Sequence, residues 1–128
     1  MYLDTDIILA VAKEKDWLKQ SIKPSSIQNQ KTSTFTVIEA RLVLQREYSR
    51  DSMFLLEKVI KKYKIKILSV DDRVIEKSEI LLKKYEQLGI FDSVHIACAL
   101  VHKESIMSTD RFFDKVIEIK RIDPRTFK

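Results

Sequence analysis

Short apolar runs with strand character alternate with longer helical ones along the whole chain, and that alternation admits few folds. Residues 1–4 read as a strand. Ile8, Val11, Ala12, Leu18 and Ile22 recur at helical spacing, so residues 6–22 read as a helix. The Thr-rich stretch Lys31 to Phe35 reads as a short strand running into a helix over 36–49. A helix over 51–63 would turn Phe54, Leu55, Val59 and Ile60 inward, and Ile65, Ile67 and Leu68 give the next strand. Asp71 or Asp72 can cap a helix over 73–87, and Asp92 can cap one running through Lys103. Ser105 to Met107 is strand-like, Arg111 to Lys115 a helical turn, and Val116 to Ile122 a last strand. Strands separated by helices specify an α/β fold, with a parallel sheet covered by helices on both faces. In such sheets functional groups gather at the carboxyl ends of the strands.

At 128 residues, with no internal repeat or linker, the sequence reads as one domain over 1–128. A chain of this length buries roughly two thirds of its unfolded surface, enough for a core without staples. Gly89 is its only glycine, which excludes the Gly-rich phosphate loops of dinucleotide folds and P-loops. Cys98 is its only cysteine, so a disulfide within the chain and a Cys-rich zinc site are excluded. The longest wholly apolar runs, Ile7 to Ala12 among them, fall far short of the roughly 20 residues a membrane span needs. With no leader in view, a soluble, cytoplasmic protein is expected. Lys and Arg number 24 against 19 Asp and Glu, for a net charge of +5. A basic surface attracts polyanions, although many proteins that bind none are equally basic.

Four acids sit where an acid is locally out of character. Asp4 ends the run Met1-Tyr2-Leu3, and Glu39 interrupts the apolar stretch Thr36 to Leu44. Asp92 opens the apolar segment that ends at Val101, and Asp110 follows Ile106-Met107-Ser108-Thr109. Burying a carboxylate without a partner is costly, and a divalent cation shared among four would relieve that cost. Each also has a plainer reading. Asp4, Asp92 and Asp110 are placed to be helix N-caps. Glu39 falls between Leu42 and Val43 on the helical wheel, so it points along an apolar arc, with Arg46 its nearest ion-pair partner by angle. That pair would be stretched over about 10.5 Å of helix.

Around these acids stand candidate supporting residues. Thr5 and Asp6 follow Asp4, and Asp6 is either a supporting acid or one favoured by a helix N-terminus. His95 lies one turn from Asp92; a histidine there more often packs and hydrogen-bonds than ligates. Ser108 and Thr109 are placed to hydrogen-bond a neighbouring carboxylate. Asp114 shares a face with Asp110 if the segment is helical, or pairs with Lys115 or Lys120 at the surface. His95 and His102 are about 10.5 Å apart along a helix, too far to bracket one phosphate in metal-free acid–base chemistry. Lys58, Lys61, Lys62, Lys64 and Lys66 form either a solvated face or an RNA contact. Trp17, Tyr85, Phe112 and Phe113 read as core, and Cys98 as a small buried apolar residue.

Taken in order, four blocks resemble a PIN domain: Leu3-Asp4-Thr5-Asp6; Ser33-x-x-Thr36-x-x-Glu39-Ala40; Asp92-x-x-His95-x-Ala97-x-Ala99; and Ser108-x-Asp110-x-x-Phe113-Asp114. The short form is most similar to VapC-type toxins of prokaryotic toxin–antitoxin pairs. That resemblance implies a five-stranded parallel sheet in an α/β/α sandwich, and a Mg²⁺- or Mn²⁺-dependent ribonuclease whose products carry a 5′-phosphate and a 3′-hydroxyl. It implies RNA as substrate, an antitoxin as partner and a homodimer. Asp4, Glu39, Asp92 and Asp110 match the family's catalytic, metal-binding acids, with Thr5, Asp6, His95, Ser108 and Asp114 beside them. The chain departs from the pattern at Asp6, more often Asn or Ser, at Ser108, more often Thr, and at Phe112, where many members carry another acid. The last change bears on how many metals the site takes. Three other roles compete: a housekeeping RNA-processing nuclease, a non-catalytic RNA-binding or scaffold module, and a phospho-acceptor signalling domain. The last would use Asp71-Asp72 and Lys120 but leave Glu39 and Asp92 without a task.

Overall fold

A computed structural model describes residues 1–13 and 27–126. Five strands, β1 Tyr2–Leu3, β2 Lys31–Ser33, β3 Lys66–Leu68, β4 Ile106–Met107 and β5 Arg121–Ile122, form one sheet in the order β3-β2-β1-β4-β5. Every neighbouring pair is parallel. The helices are α1 Thr5–Ala12, α2 Thr34–Glu47, α3 Leu55–Lys62, α4 Asp72–Lys84 and α5 Ile90–Val101, with 3-10 segments at Arg50–Phe54 and Arg111–Lys115.

The strands alternate sides residue by residue, and this sets the layers. Tyr2 pairs with Ile106, and both enter the cluster that buries Val74 and Leu81 of α4 with Ile96 to Ala99 of α5. Leu3 pairs with Met107, and both enter the opposite cluster, with Ile7, Ile8 and Val11 of α1, Ala40 and Leu44 of α2 and Leu56 of α3. The result is the α/β/α sandwich expected from the sequence. The strand order runs outward from β1 to β3 and returns through β4 to β5. The switch point therefore lies between β1 and β4, where a parallel sheet opens a crevice at its carboxyl edge.

Several boundaries differ from the sequence reading. α1 stops at Ala12, where the charged Lys13 turns extended and its ammonium pairs with Glu47 at 2.7 Å. The remainder of the expected 6–22 helix, with Trp17, Leu18 and Ile22, lies outside the described residues. α2 begins at Thr34 because Ser33 caps it, its hydroxyl accepting the Thr36 N–H. The helix expected over 51–63 begins as a 3-10 turn, which rotates Phe54 and Leu55 to the exterior and leaves Leu56 as the buried anchor. α5 starts at Ile90, capped by Gly89, so Asp92 stands inside its first turn and is no cap. Asp71 does cap α4, which closes at Lys84. Only Arg121–Ile122 of the expected last strand pairs with the sheet.

With one glycine in the chain, two helices close on lysines. Lys64 and Lys103 have φ of 52° and 56°, in the left-handed region. Around Lys103, the Glu104 N–H bonds Ala99 O at 2.8 Å and the Lys103 N–H bonds Leu100 O at 3.1 Å. Around Lys64, the Ile65 N–H bonds Ile60 O at 3.0 Å and the Lys64 N–H bonds Lys61 O at 3.3 Å. Both are Schellman closures, which favour glycine at this position. A side chain there costs about 1 kcal/mol. Lys64→Gly and Lys103→Gly are each expected to stabilise the protein by about 0.5–1 kcal/mol in urea unfolding. Destabilisation by both would contradict this backbone geometry.

Candidate functional site

Asp4 leaves β1 at the switch point, and its own N–H continues the ladder to Met107 O at 3.0 Å. It caps α1, Oδ1 accepting the Thr5 N–H at 2.8 Å, so the plain N-cap reading holds for its geometry. The side chain is nonetheless held down: Asp4 is 8% exposed, and Oδ2 accepts the Ser108 hydroxyl from the end of β4 at 2.8 Å. Burial, with a smaller push from the charge of Asp6, raises its pKa to about 6 against the pull of His95 and Ser108. Asp6, in the first turn of α1, has Oδ2 bonded by the Thr109 N–H at 2.9 Å and by the Thr109 hydroxyl. Its Oδ1 is buried with no partner.

The second group centres on His95, 2% exposed. Its Nδ1 lies 2.7 Å from the Tyr2 hydroxyl and its Nε2 2.5 Å from Glu39 Oε1. The Tyr2 hydroxyl also lies 2.8 Å from Ser33 Oγ, so the phenol joins the ring to the cap of α2. Burial opposes a charge on the ring, but the Glu39 bond and the fields of Asp4, Glu39 and Asp92 outweigh it and raise the His95 pKa. Glu39 Oε1 also accepts the Thr5 hydroxyl at 2.6 Å. Burial pushes the Glu39 pKa up; the bonds from His95 and Thr5 outweigh it and leave the net shift downward. Burial keeps the Tyr2 phenol neutral by pushing its pKa well above the ordinary value. Glu39 thus has buried partners, though not the Arg46 suggested by the helical wheel.

Asp92 faces these groups from the first turn of α5, with Oδ2 3.9 Å from where a Cβ on Gly89 would stand. Its pKa is raised by partial burial, then by the charge of Asp110, with Glu39 and Asp6 adding less and His95 opposing. Asp110 is exposed, caps the 3-10 segment through the Phe112 N–H at 2.9 Å, and is tied to Ser108 by its own N–H at 3.0 Å.

The structure thus gathers Asp4, Asp6, Glu39, Asp92, Asp110, Thr5, His95 and Ser108 at one sheet edge. Asp114 is the exception. It is exposed and bound by Arg121 through Nε at 2.8 Å and Nη2 at 3.0 Å, while Nη1 of the same guanidinium donates to Ser108 O at 2.9 Å. It therefore anchors the β4 loop rather than facing the acids. The expected lysine partners give way to Arg121 because β5 lies beside β4.

Sequence reasoning missed Tyr2 and Thr36 as supports of His95. The available signal was a tyrosine on a fully buried strand, whose hydroxyl needs a partner. Lys58, Lys61, Lys62, Lys64 and Lys66 are all exposed. Phe113 is fully buried, as is Cys98, whose thiol burial pushes up to about 11.

The cluster's chemistry suits a hard divalent cation. Five carboxylates face one imidazole, two carry raised pKa values, and a buried oxygen of Asp6 lacks a partner. Oxygen donors of this kind favour Mg²⁺ or Mn²⁺ over soft metals. Among the described residues no three acid, histidine or cysteine groups stand close enough together to hold an ion as they are. The acids form an open cluster that would have to draw together around one. Nor, among those residues, is any helix long and apolar enough to cross a membrane.

No curated protein matches the chain. Solved structures of similar fold include VapC20 of Mycobacterium tuberculosis, described as a sarcin-ricin loop cleaving toxin, at TM-score 0.77 and 14% identity over 90% of this chain and 93% of that one. VapBC2 from Rickettsia felis, bound to a DNA fragment from its promoter, aligns at TM-score 0.74 and 12% identity over 94% and 96%. FitAcB from Neisseria gonorrhoeae aligns at 0.73 and 18% over 98% and 99%. At these identities the likeness is one of fold. The PIN-domain family model matches residues 1–119, and the chain belongs to the PIN-domain family.

Proposed function

We propose that the protein is a divalent-metal-dependent endoribonuclease acting as the toxin of a toxin–antitoxin pair. The observation that carries this reading is Asp4, a buried carboxylate whose pKa of about 6 reflects burial and a neighbouring acid, at the switch point of a parallel sheet. Asp4, Glu39, Asp92 and Asp110 would hold Mg²⁺ or Mn²⁺. A bound ion supplies Lewis-acid stabilisation of phosphate charge and acidifies coordinated water.

The remaining work belongs to the chain's own groups. Thr5 N–H and Ser108 fix one oxygen each of Asp4, orienting both toward the crevice chemistry without neutralising them. Thr109 fixes one oxygen of Asp6 and leaves the other free. The bond to His95 Nε2 lowers the Glu39 pKa and holds the carboxylate in place, which leaves Glu39 able to accept a proton from attacking water. No serine, cysteine or histidine nucleophile is needed, and burial keeps the Cys98 thiol unreactive.

The net charge of +5 and the exposed lysines 58 to 66 support a polyanionic substrate. Relatives in fold described as a toxin–antitoxin complex and as a member of a family of toxin–antitoxin systems support an antitoxin partner. Ile75, Ile80 and Ile117 are exposed apolar side chains of the kind a homodimer interface would cover. Growth arrest on expression, relieved by Asp92→Asn, would separate a toxin from a housekeeping nuclease.

Asp4→Asn and Asp92→Asn are expected to lower cleavage of an end-labelled single-stranded RNA more than about 100-fold in Mn²⁺ or Mg²⁺, with circular dichroism unchanged. EDTA should abolish wild-type cleavage. Undiminished metal-dependent cleavage by both variants would overturn the assignment. Asp92→Asn should also raise the melting temperature of the metal-free protein at pH 7. The raised Asp92 pKa means that its ionised form opposes folding, so the gain should fade as pH falls through the carboxylate range and both proteins become neutral there. A gain that grows toward low pH would contradict the repulsion among these acids.

A further inference from the structure

Phe91 directly precedes Asp92 and is 60% exposed; Ile90 before it is 68% exposed. Large apolar side chains so open to water are unexpected at the rim of a carboxylate cluster, where polar residues would serve solubility better. The Phe91 ring is nonetheless held in a defined position. It packs edge-to-face on Phe35, with centroids 5.2 Å apart and planes at 74°. Phe35, in the first turn of α2, lies in turn 5.2 Å from the His95 ring at 42°. His95 is fixed by Tyr2 and Glu39. A run of three rings therefore leads from the buried centre of the acid cluster out to solvent, spanning the junction of α2 and α5.

We propose that Phe35 and Phe91 form a stacking platform for one unpaired nucleobase of the substrate, beside the phosphate that the acids address. The proposal rests on the nuclease reading for the class of its ligand. Edge-to-face packing anchors Phe91 through one contact and leaves ring surface free. Every base has a π face, and stacking on an aromatic side chain holds it with little regard to sequence. Phe91 reaches the site through Phe35 and His95, which bonds Glu39, so a phosphate held by the acids would bring its flanking base toward the two phenyl rings, base and phosphate being joined through one sugar. Anchoring in advance also spares the entropy of ordering a loose side chain on binding. The platform requires an unpaired base, so single-stranded segments or loops are the substrates it fits.

The test uses a single-stranded RNA carrying one 2-aminopurine, mixed with the full-length protein in Ca²⁺ buffer, with steady-state cleavage of unlabelled RNA measured in Mn²⁺. Stacking on Phe91 predicts quenching of the 2-aminopurine by wild type and by Phe91→Trp, and its loss in Phe91→Ala and Phe91→Leu. Leucine keeps the apolar contact with Phe35 but offers no π face. KM should rise about tenfold in Phe91→Leu, with kcat falling far less. Quenching and KM of Phe91→Leu equal to wild type would overturn the platform and leave the nuclease reading standing. Phe91-dependent quenching without cleavage of any RNA would support the platform and overturn the nuclease reading. Sedimentation of Phe91→Ala at half the wild-type mass would assign the residue to a contact between copies and overturn the proposal.

Discussion

The imidazole of His95 joins the layers of this protein where its chemistry is assembled. From α5, on one face of the sheet, it reaches Tyr2 of β1 and Glu39 of α2. Each of those contacts is buried or half-buried, so each would be expensive to break without replacement. The Glu39 bond and the fields of Asp4, Glu39 and Asp92 raise the His95 pKa against its burial, and His95 in turn lowers that of Glu39, so imidazole and acids favour each other's charged forms. Fold and site therefore share one interaction.

The sheet provides the frame for that exchange. Because β1 and β4 are neighbours across the switch point, Asp4 and the Ser108–Asp110 loop meet although more than a hundred residues separate them. Arg121, on the next strand out, steadies the same loop through Ser108 O while pairing with Asp114 and Asp123. The carboxylates nonetheless remain in deficit of positive charge, which is what the proposed divalent cation would relieve.

Much of this was legible from residue order, for identifiable reasons. Alternating apolar runs and helical spacing gave the layers, because Tyr2 with Ile106 and Leu3 with Met107 must face opposite ways. Acids interrupting apolar runs pointed to the edge, because burial makes such residues conspicuous. Boundaries were less legible. The ends of α1 and of the helix near residue 54 depend on a charged stretch and on a 3-10 turn, neither of which disturbs the hydrophobic pattern strongly. Asp114 misled because four-residue spacing brings Asp110 and Asp114 to one face only in an α-helix, and its guanidinium partner comes from a strand seven residues on. Tyr2 and Phe91 were missed for opposite reasons: the first looked like ordinary core, and the second like ordinary helix.

The central claim is that one divalent cation site lies at the carboxyl edge between β1 and β4. Paramagnetic broadening of ¹⁵N–¹H signals by substoichiometric Mn²⁺ tests it most directly, since it reads location without requiring activity. The account predicts selective loss of the amide signals of Thr5, Asp6, Thr109, Asp110 and Asp92, with those of α3 and the far ends of α4 and α5 unaffected. Broadening centred elsewhere on the surface, or none at millimolar Mn²⁺, would contradict it.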